Sequence, residues 1–330
     1  MTNDVQHTLT RDQIAAMCRR GFGSAAHIES VQELTGGTFN ETYLLELVGE
    51  GNVILRVAPL PAADIYWDEV ALMRREWHML PFFASIAPLM PKVLLADFTH
   101  QLIAQDYMFQ TFLDGEWWED IEDELIPDEN AALWRQFGAI TKQIHATTGE
   151  RIGYPYPARS FDRWSDVILD RFARIVEQMQ VHQLDLPGFA AIAALARTNI
   201  AFLDEIKTPA LLHGDLWTFN LLVRRGAGEP TITDVLDADR VWWGDPLADW
   251  TMFCLSIRSK EPNWQQPCAA FFAGYGELGQ DRATLFRQEV YKAMHIGASV
   301  VWFVRQGDRE SIARARRDIG EVARVLSTSV

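Results

Sequence analysis

Hydrophobic and polar residues alternate with two different periods along this chain, and the change of period divides it. "SVQELTGG" and "TFNETYLLEL" keep the short alternation of half-buried strands and meet at Gly36-Gly37. "GNVILRVA" follows the turn at residues 49–51 as a third strand, and "PKVLLADFTH" and "LIAQDYMFQTFL" read as two more. "TRDQIAAMCRRGFG" opens with a capping box from Thr10 to Gln13 and stops near Gly21 and Gly23, so it reads as a short helix. "DEVALMRREWHMLPFF" has helical spacing, with Val70, Met73, Trp77 and Leu80 on one face. The first third is therefore expected to be a mainly antiparallel sheet with one inserted helix.

After "LDGEWW" the helical period takes over. "NAALWRQFGAITKQIHATTG", "SFDRWSDVILDRFARIVEQMQ" capped by Ser160, and "PGFAAIAALARTNIAFLDEI" read as three amphipathic helices. The chain after residue 250 is again mostly helical. Between them, "NLLVRR", the turn "GAGEP" and "TITDVLD" carry a hairpin signature. The expected fold is α+β: a small β-rich lobe over residues 1–113 and a large helical lobe over 114–330, joined near Leu113 to Gly115. There is no internal repeat and no low-complexity tract.

Composition narrows the class. The 330 residues are 48% apolar and 23% charged, as in ordinary globular proteins, and enough for one large or two medium domains. No apolar run approaches membrane-span length, and the polar start "MTNDVQHTLTRDQ" has no secretory core, so neither membrane nor export is expected. Cys18, Cys254 and Cys268 lack metal-site spacing, which fits a reducing, cytoplasmic compartment. A net charge of −15 disfavours nucleic acid as a partner and is compatible with drawing in small cations.

The hairpin is flanked by a polar island, "LLHGDLWTFNLL". Phosphoryl transfer needs a carboxylate at the attacking hydroxyl and hard oxygen ligands for magnesium on the phosphates. Asp215 fits the first role. Asn220 and Asp237, brought together by the hairpin, fit the second. Four residues separate Asp215 from Asn220, the spacing of a kinase catalytic loop, and only a few residues separate Asp237 from "WWGDPLADW". No long activation loop fits there, which points away from a regulated protein kinase.

Together, "GGTFNETY", "HGDLWTFN" and "VLDADRVWWGDPLADW" make the chain, from about residue 30 to 255, resemble the aminoglycoside phosphotransferase and choline kinase-like superfamily. The resemblance implies a protein-kinase-like two-lobe fold with ATP or GTP in the cleft and Mg²⁺ on the phosphates. It also implies phosphorylation of a hydroxyl on a small molecule. His213 then packs beneath the loop, Asp249 accepts hydrogen bonds from its backbone, and Asp245 caps a helix. Gly36 and Gly37 are either a tight hairpin or a bare-backbone phosphate loop. Between residues 37 and 91 the chain has no lysine, so Arg56 stands where kinases use one, with Glu76 as its partner. Gln110 to Phe112 are expected at the purine edge, with Met108 or Phe109 in its pocket.

The acceptor is least determined. From Glu116 to Glu129 there are eight carboxylates and no Lys or Arg, a stretch that either steers a cationic acceptor or is solvated surface. Trp118, Glu119, Trp217, Asp239 and Trp242 are the acceptor-site candidates. Asp239 is alternatively a second metal ligand or a solvated strand end. An amine-bearing natural product, as in antibiotic kinases, is the expected acceptor. A metabolite kinase of the fructosamine or choline kinase type is the alternative. A noncatalytic nucleotide-binding protein, motivated by Arg56, is the third.

Overall fold

The computed structural model describes residues 9–34, 39–60 and 65–329. Helix α1 (Arg11–Phe22) starts at the expected capping box, Thr10 to Gln13. A five-stranded antiparallel sheet follows, built from β1 (Ile28–Leu34), β2 (Glu41–Leu47), β3 (Gly51–Val57), β4 (Val93–Asp97) and β5 (Tyr107–Thr111) in the order β1-β2-β3-β5-β4. Alternation places Tyr43, Leu45 and Leu47 on one face of β2, where Ile14, Met17 and Cys18 of α1 cover them. The Gly36-Gly37 turn lies outside the described residues.

Helix α2 (Leu72–Met79) is shorter than the pattern predicts, and a 3-10 segment, Leu80–Leu89, continues it. Its inward face also differs. Val70 and Trp77 are exposed, whereas Leu72, Met73, Arg75, Glu76 and Met79 are buried. The stripe was misplaced because two of the inward positions are charged, and a count of apolar residues passes over them.

The chain then enters the second lobe. β6 (Glu116–Trp117) and the short α3 (Trp118–Ile121) lead to α4 (Pro127–His145). β7 (Ile152–Tyr154) and β8 (Arg159–Phe161) precede α5 (Trp164–Val181), α6 (Phe189–Thr198), α7 (Ile200–Leu203) and β9 (Ala210–Leu212). The hairpin of β10 (Leu221–Arg224) and β11 (Thr231–Val235) is followed by β12 (Trp242–Gly244), α8 (Trp250–Arg258), α9 (Gln265–Tyr275), α10 (Arg282–Gln306) and α11 (Arg309–Ser329). β6 pairs with β10, so the chain is committed to this lobe by Glu116. A second small sheet, β8-β7-β12-β9, was not expected. It takes Ser160, the supposed helix cap, into β8, and α5 begins after Arg163 instead. The single helix expected over residues 187–206 breaks at Asn199 into α6 and α7. No helix among the described residues is long and apolar enough to cross a membrane.

Two apolar clusters fill this lobe. One lies among α5, α6, α10 and α11. The other joins Met79 and Phe83 of the first lobe to Trp118, Trp134 and Phe137 and to the strands around residues 211–235. α4 and α9 cross through a pair of glycines. A Cβ at Gly138 would lie 2.0 Å from the Phe271 carbonyl oxygen, and one at Gly274 would lie 2.0 Å from that of Arg135. Backbone cannot retreat as a side chain can, so Gly138→Ala is expected to destabilise the fold by at least about 1–3 kcal/mol, the range for overpacking. Urea denaturation checks this. An unchanged midpoint would mean that the helices do not approach so closely.

Candidate active site

The catalytic-loop candidate hangs between β9 and β10. At its entrance Gly214 adopts φ +82°, and a Cβ there would meet the Arg240 carbonyl oxygen at 2.1 Å. Only glycine suits both demands. Asp249 fixes the loop from below. Its Oδ2 accepts from the His213 N–H (3.1 Å) and its Oδ1 from the Gly214 N–H (2.8 Å) and the Trp250 N–H (2.8 Å). His145, at the end of α4, contacts Asp249 at 2.9 Å through Nε2 and the Tyr275 hydroxyl at 2.9 Å through Nδ1. Burial alone would raise the Asp249 pKa, but these hydrogen bonds and the neighbouring imidazoles hold it below the ordinary carboxylate value. His213 is fully buried edge-on to Phe83, and burial lowers its pKa.

Inside the loop, the Asn220 amide nitrogen donates to the Asp215 carbonyl at 2.7 Å and stands 3.4 Å from its carboxylate. Thr218 donates to Glu119, which ties the loop to α3. Leu236 N–H donates to the Asn220 carbonyl (2.9 Å), and Asp237 then turns at φ +61°, bringing its carboxylate beside the loop. Burial pushes Asp215 up to about 7, with Arg240 opposing and Asp237 adding to the rise. A carboxylate with a pKa near neutrality is suited to general-base work.

Across the cleft, Arg56 on β3 donates from Nη1 to both Glu76 oxygens, at 2.9 and 2.7 Å, and from Nη2 to Asp237 at 2.5 Å. Asp239 lies 3.9 Å from the same guanidinium. Burial opposes the charge on Arg56, but Glu76, Asp237 and Asp239 outweigh it and push its pKa above the ordinary value. Gln110 donates its side-chain amide to Glu76 at 3.1 Å. The structure therefore joins residues from β3, α2, β5 and the turn after β11 in one polar cluster.

Several expected positions move. Gln110 lies inside the ladder between β3 and β4 and serves Glu76, so its strand backbone is not a purine edge. Phe112, just past the strand, is half-exposed and is the first candidate left for that role. Met108 and Phe109 are fully buried. Trp118 is fully buried against Trp134 and Phe137, and Trp242 is buried against Trp164 and stacked under Arg171. Neither can face an acceptor. Both are core residues, packed ring against ring. Asp239 is 3% exposed, which rules out a solvated strand end; burial, with Asp237 beside it, pushes its pKa well above the carboxylate range. Asp245 caps the Pro246–Ala248 turn through the Leu247 N–H, as expected. His145 and Tyr275 went unnoticed, since nothing in the spacing links positions 145, 249 and 275.

The oxygen donors fit magnesium. The Asn220 amide nitrogen is occupied, which leaves its Oδ1 to bind. The Asp237 side chain is 38% exposed, and one of its oxygens is held by Arg56. Magnesium usually takes one or two protein oxygens and completes its shell with phosphates and water. Accordingly, no group of three or more His, Cys, Asp or Glu able to hold a metal occurs among the described residues.

The model of the phosphotransferase enzyme family matches residues 30–286. The chain belongs to that family. Among solved structures, this phosphotransferase resembles a thermostable mutant of aminoglycoside phosphotransferase APH(4)-Ia in ternary complex with AMP-PNP and hygromycin B, with TM-score 0.67, 19% identity, and coverage of 94% of this chain and 98% of that one. It also resembles the GDP complex of aminoglycoside 2'-phosphotransferase-IIIa, with TM-score 0.64, 15% identity, and coverage of 96% and 99%. At such identities the likeness establishes the two-lobed, kinase-like fold. No curated protein matches the chain.

Gly214→Ala would strain the loop that carries Asp215 and press a Cβ against the Arg240 backbone. An activity loss of roughly tenfold or more, together with a lowered melting temperature, is expected from a left-handed position costing about 1–2 kcal/mol. Full activity in that variant would show that the loop conformation is not required.

Proposed function

We propose that this chain is a magnesium-dependent small-molecule kinase that moves the γ-phosphoryl group of ATP or GTP to an acceptor hydroxyl. The observation that carries the proposal is the convergence of Asp215, Asn220, Asp237, Arg56 and Glu76 on one cleft in a chain of this family. Residues 1–113 form the nucleotide-binding lobe, and residues 114–330 carry the catalytic loop and the acceptor site.

Asp215 orients the acceptor hydroxyl and takes its proton as the oxygen–phosphorus bond forms. The bond to the β-phosphate oxygen breaks, and a nucleoside diphosphate leaves. Asn220 and Asp237 would hold magnesium, which would supply neutralisation of charge on the phosphates. Glu76, steadied by Gln110, aims the Arg56 fork, whose second arm exchanges Asp237 for phosphate oxygens. Arginine can hold a carboxylate and a phosphate together, so the replacement of lysine is compatible with activity. The backbone from Phe112 onward completes the nucleotide site among the described residues.

The amine-bearing antibiotic expected from the acidic stretch finds fewer free carboxylates than the sequence offers. Glu116 and Glu124 pair with Arg225, Glu119 accepts from Thr218, Glu122 from the Asn130 side chain, and Glu129 from the Ile126 N–H.

Asp215→Asn is expected to lower turnover by roughly 10²- to 10⁴-fold, the range for losing a general base. Near-normal turnover in that variant would remove Asp215 from the role. Asp237→Ala is expected to abolish the strengthening of nucleotide binding by magnesium, as read by calorimetry with and without the ion. Identical magnesium dependence in wild type and variant would exclude Asp237 as a ligand.

A further inference from the structure

We propose that Arg305, on α10 of the second lobe, is a positioning residue for the phosphate-binding pair Arg56 and Glu76, and that it acts through Glu69 and residues 65–71. This rests on the phosphotransferase function proposed above and extends its machinery to α10, which supplies none of the residues named there.

Residues 65–71 immediately precede α2, and their side chains fasten to the second lobe. Tyr66 is buried in the cluster among α5, α6, α10 and α11. Its hydroxyl donates to the Val301 carbonyl on α10 at 2.8 Å, and the Arg305 guanidinium lies 3.8 Å from the centre of its ring. Glu69, 3% exposed, accepts from Arg305 through both oxygens, at 3.0 and 2.9 Å, and from the Tyr66 N–H at 2.8 Å. A two-point grip between a guanidinium and a carboxylate fixes orientation as well as distance. Trp67 meets Tyr154 of β7 edge-on and lies under Arg171 and Arg174 of α5. Ala71 then turns at φ +55°, and α2 begins. In its first turn the buried Arg75 donates to the Tyr156 carbonyl of the second lobe at 2.8 Å.

α2 is also tied to the sheet. Arg74 donates to both Asp106 oxygens at 2.7 Å, and Glu76 accepts from Arg56 and Gln110. Arg56 spans Glu76 of α2 and Asp237 of the second lobe from one planar group, so the interval between those carboxylates must match a single guanidinium. The sheet cannot set that interval, because Asp237 is not part of it. Contacts from α2 and its lead-in to the second lobe must set it. Apolar packing of Met79 and Phe83 holds the far end of α2 but has no direction of its own, whereas the Glu69–Arg305 pair does. Glu69 also stands 3.8 Å from Arg240, and the Arg240 Cβ would lie 3.1 Å from a Cβ at Gly214, the entrance of the catalytic loop. One buried carboxylate thus links α10, α2 and the segment beside that loop.

The test is calorimetry on the full chain, with Mg·AMP-PNP and adenosine as paired ligands (Mg·GMP-PNP and guanosine if the wild type takes guanine). Arg305→Ala is expected to weaken Mg·AMP-PNP by roughly tenfold to a hundredfold, the scale of a small misplacement relayed from outside a site, and to leave adenosine affinity unchanged. Only the ligand that carries phosphates needs Arg56 in register. Hydrogen exchange of the α2 amides should quicken in the same variant, with α9 unchanged. Arg305→Ala leaves Glu69 buried without its partner and can impair folding, so Glu69→Gln is the second variant. It keeps the volume, weakens the grip, and is expected to show the same phosphate-selective loss. A folded variant with unchanged Mg·AMP-PNP affinity, or with adenosine weakened equally, would overturn the inference. Failure of the phosphotransferase function itself would appear separately, as absent binding of both Mg·AMP-PNP and Mg·GMP-PNP by the wild type.

Discussion

One guanidinium holds the cleft together. Arg56 reaches from the first lobe to Glu76 with one arm and to Asp237 of the second lobe with the other. The fork geometry allows this double engagement from one planar group. Glu76 is 1% exposed, and removing its partner would leave a buried charge uncompensated, a change that costs about 3–5 kcal/mol. Glu76 of α2, Gln110 of β5 through Glu76, and Asp237 in its left-handed turn all join the cluster around this one cation.

A second polar chain performs the equivalent task beneath the catalytic loop. Tyr275 and His145, at the ends of α9 and α4, and Asp249, the N-cap of α8, form a chain that ends on the backbone N–H groups of His213 and Gly214. The loop is thus anchored through its backbone, and the Asp215 carboxylate takes no part in that anchor. Glu119 adds a tether from the other side through Thr218.

The parts of this site that the sequence disclosed are those coded by short spacing. Asp215 and Asn220 lie five positions apart in one loop, and Asp237 follows on the return strand of a hairpin that turn residues make recognisable. Arg56 and Glu76 were legible because a strand and the following helix present them at the expected places. Burial was not legible in the same way. Trp118 and Trp242 adjoin functional motifs, and an indole near a motif reads alike whether it walls a pocket or fills a core. The apolar stripe of α2 was displaced because Arg75 and Glu76 face inward. Ser160 failed as a cap because β8 pairs with a strand, β7, whose own partner β12 lies some ninety residues further along the chain. Long-range pairing and tertiary burial leave little trace in local pattern.

Transfer of a phosphoryl group from a nucleotide to a hydroxyl within this cleft is what the proposed function requires. Phosphorus NMR of the wild-type protein with magnesium, nucleotide and a panel of hydroxyl acceptors tests that most directly, because substrate, product and inorganic phosphate give separate signals. A new phosphate-ester resonance that grows in step with nucleoside diphosphate is expected. Release of inorganic phosphate alone, or no turnover with nucleotide demonstrably bound, would contradict it.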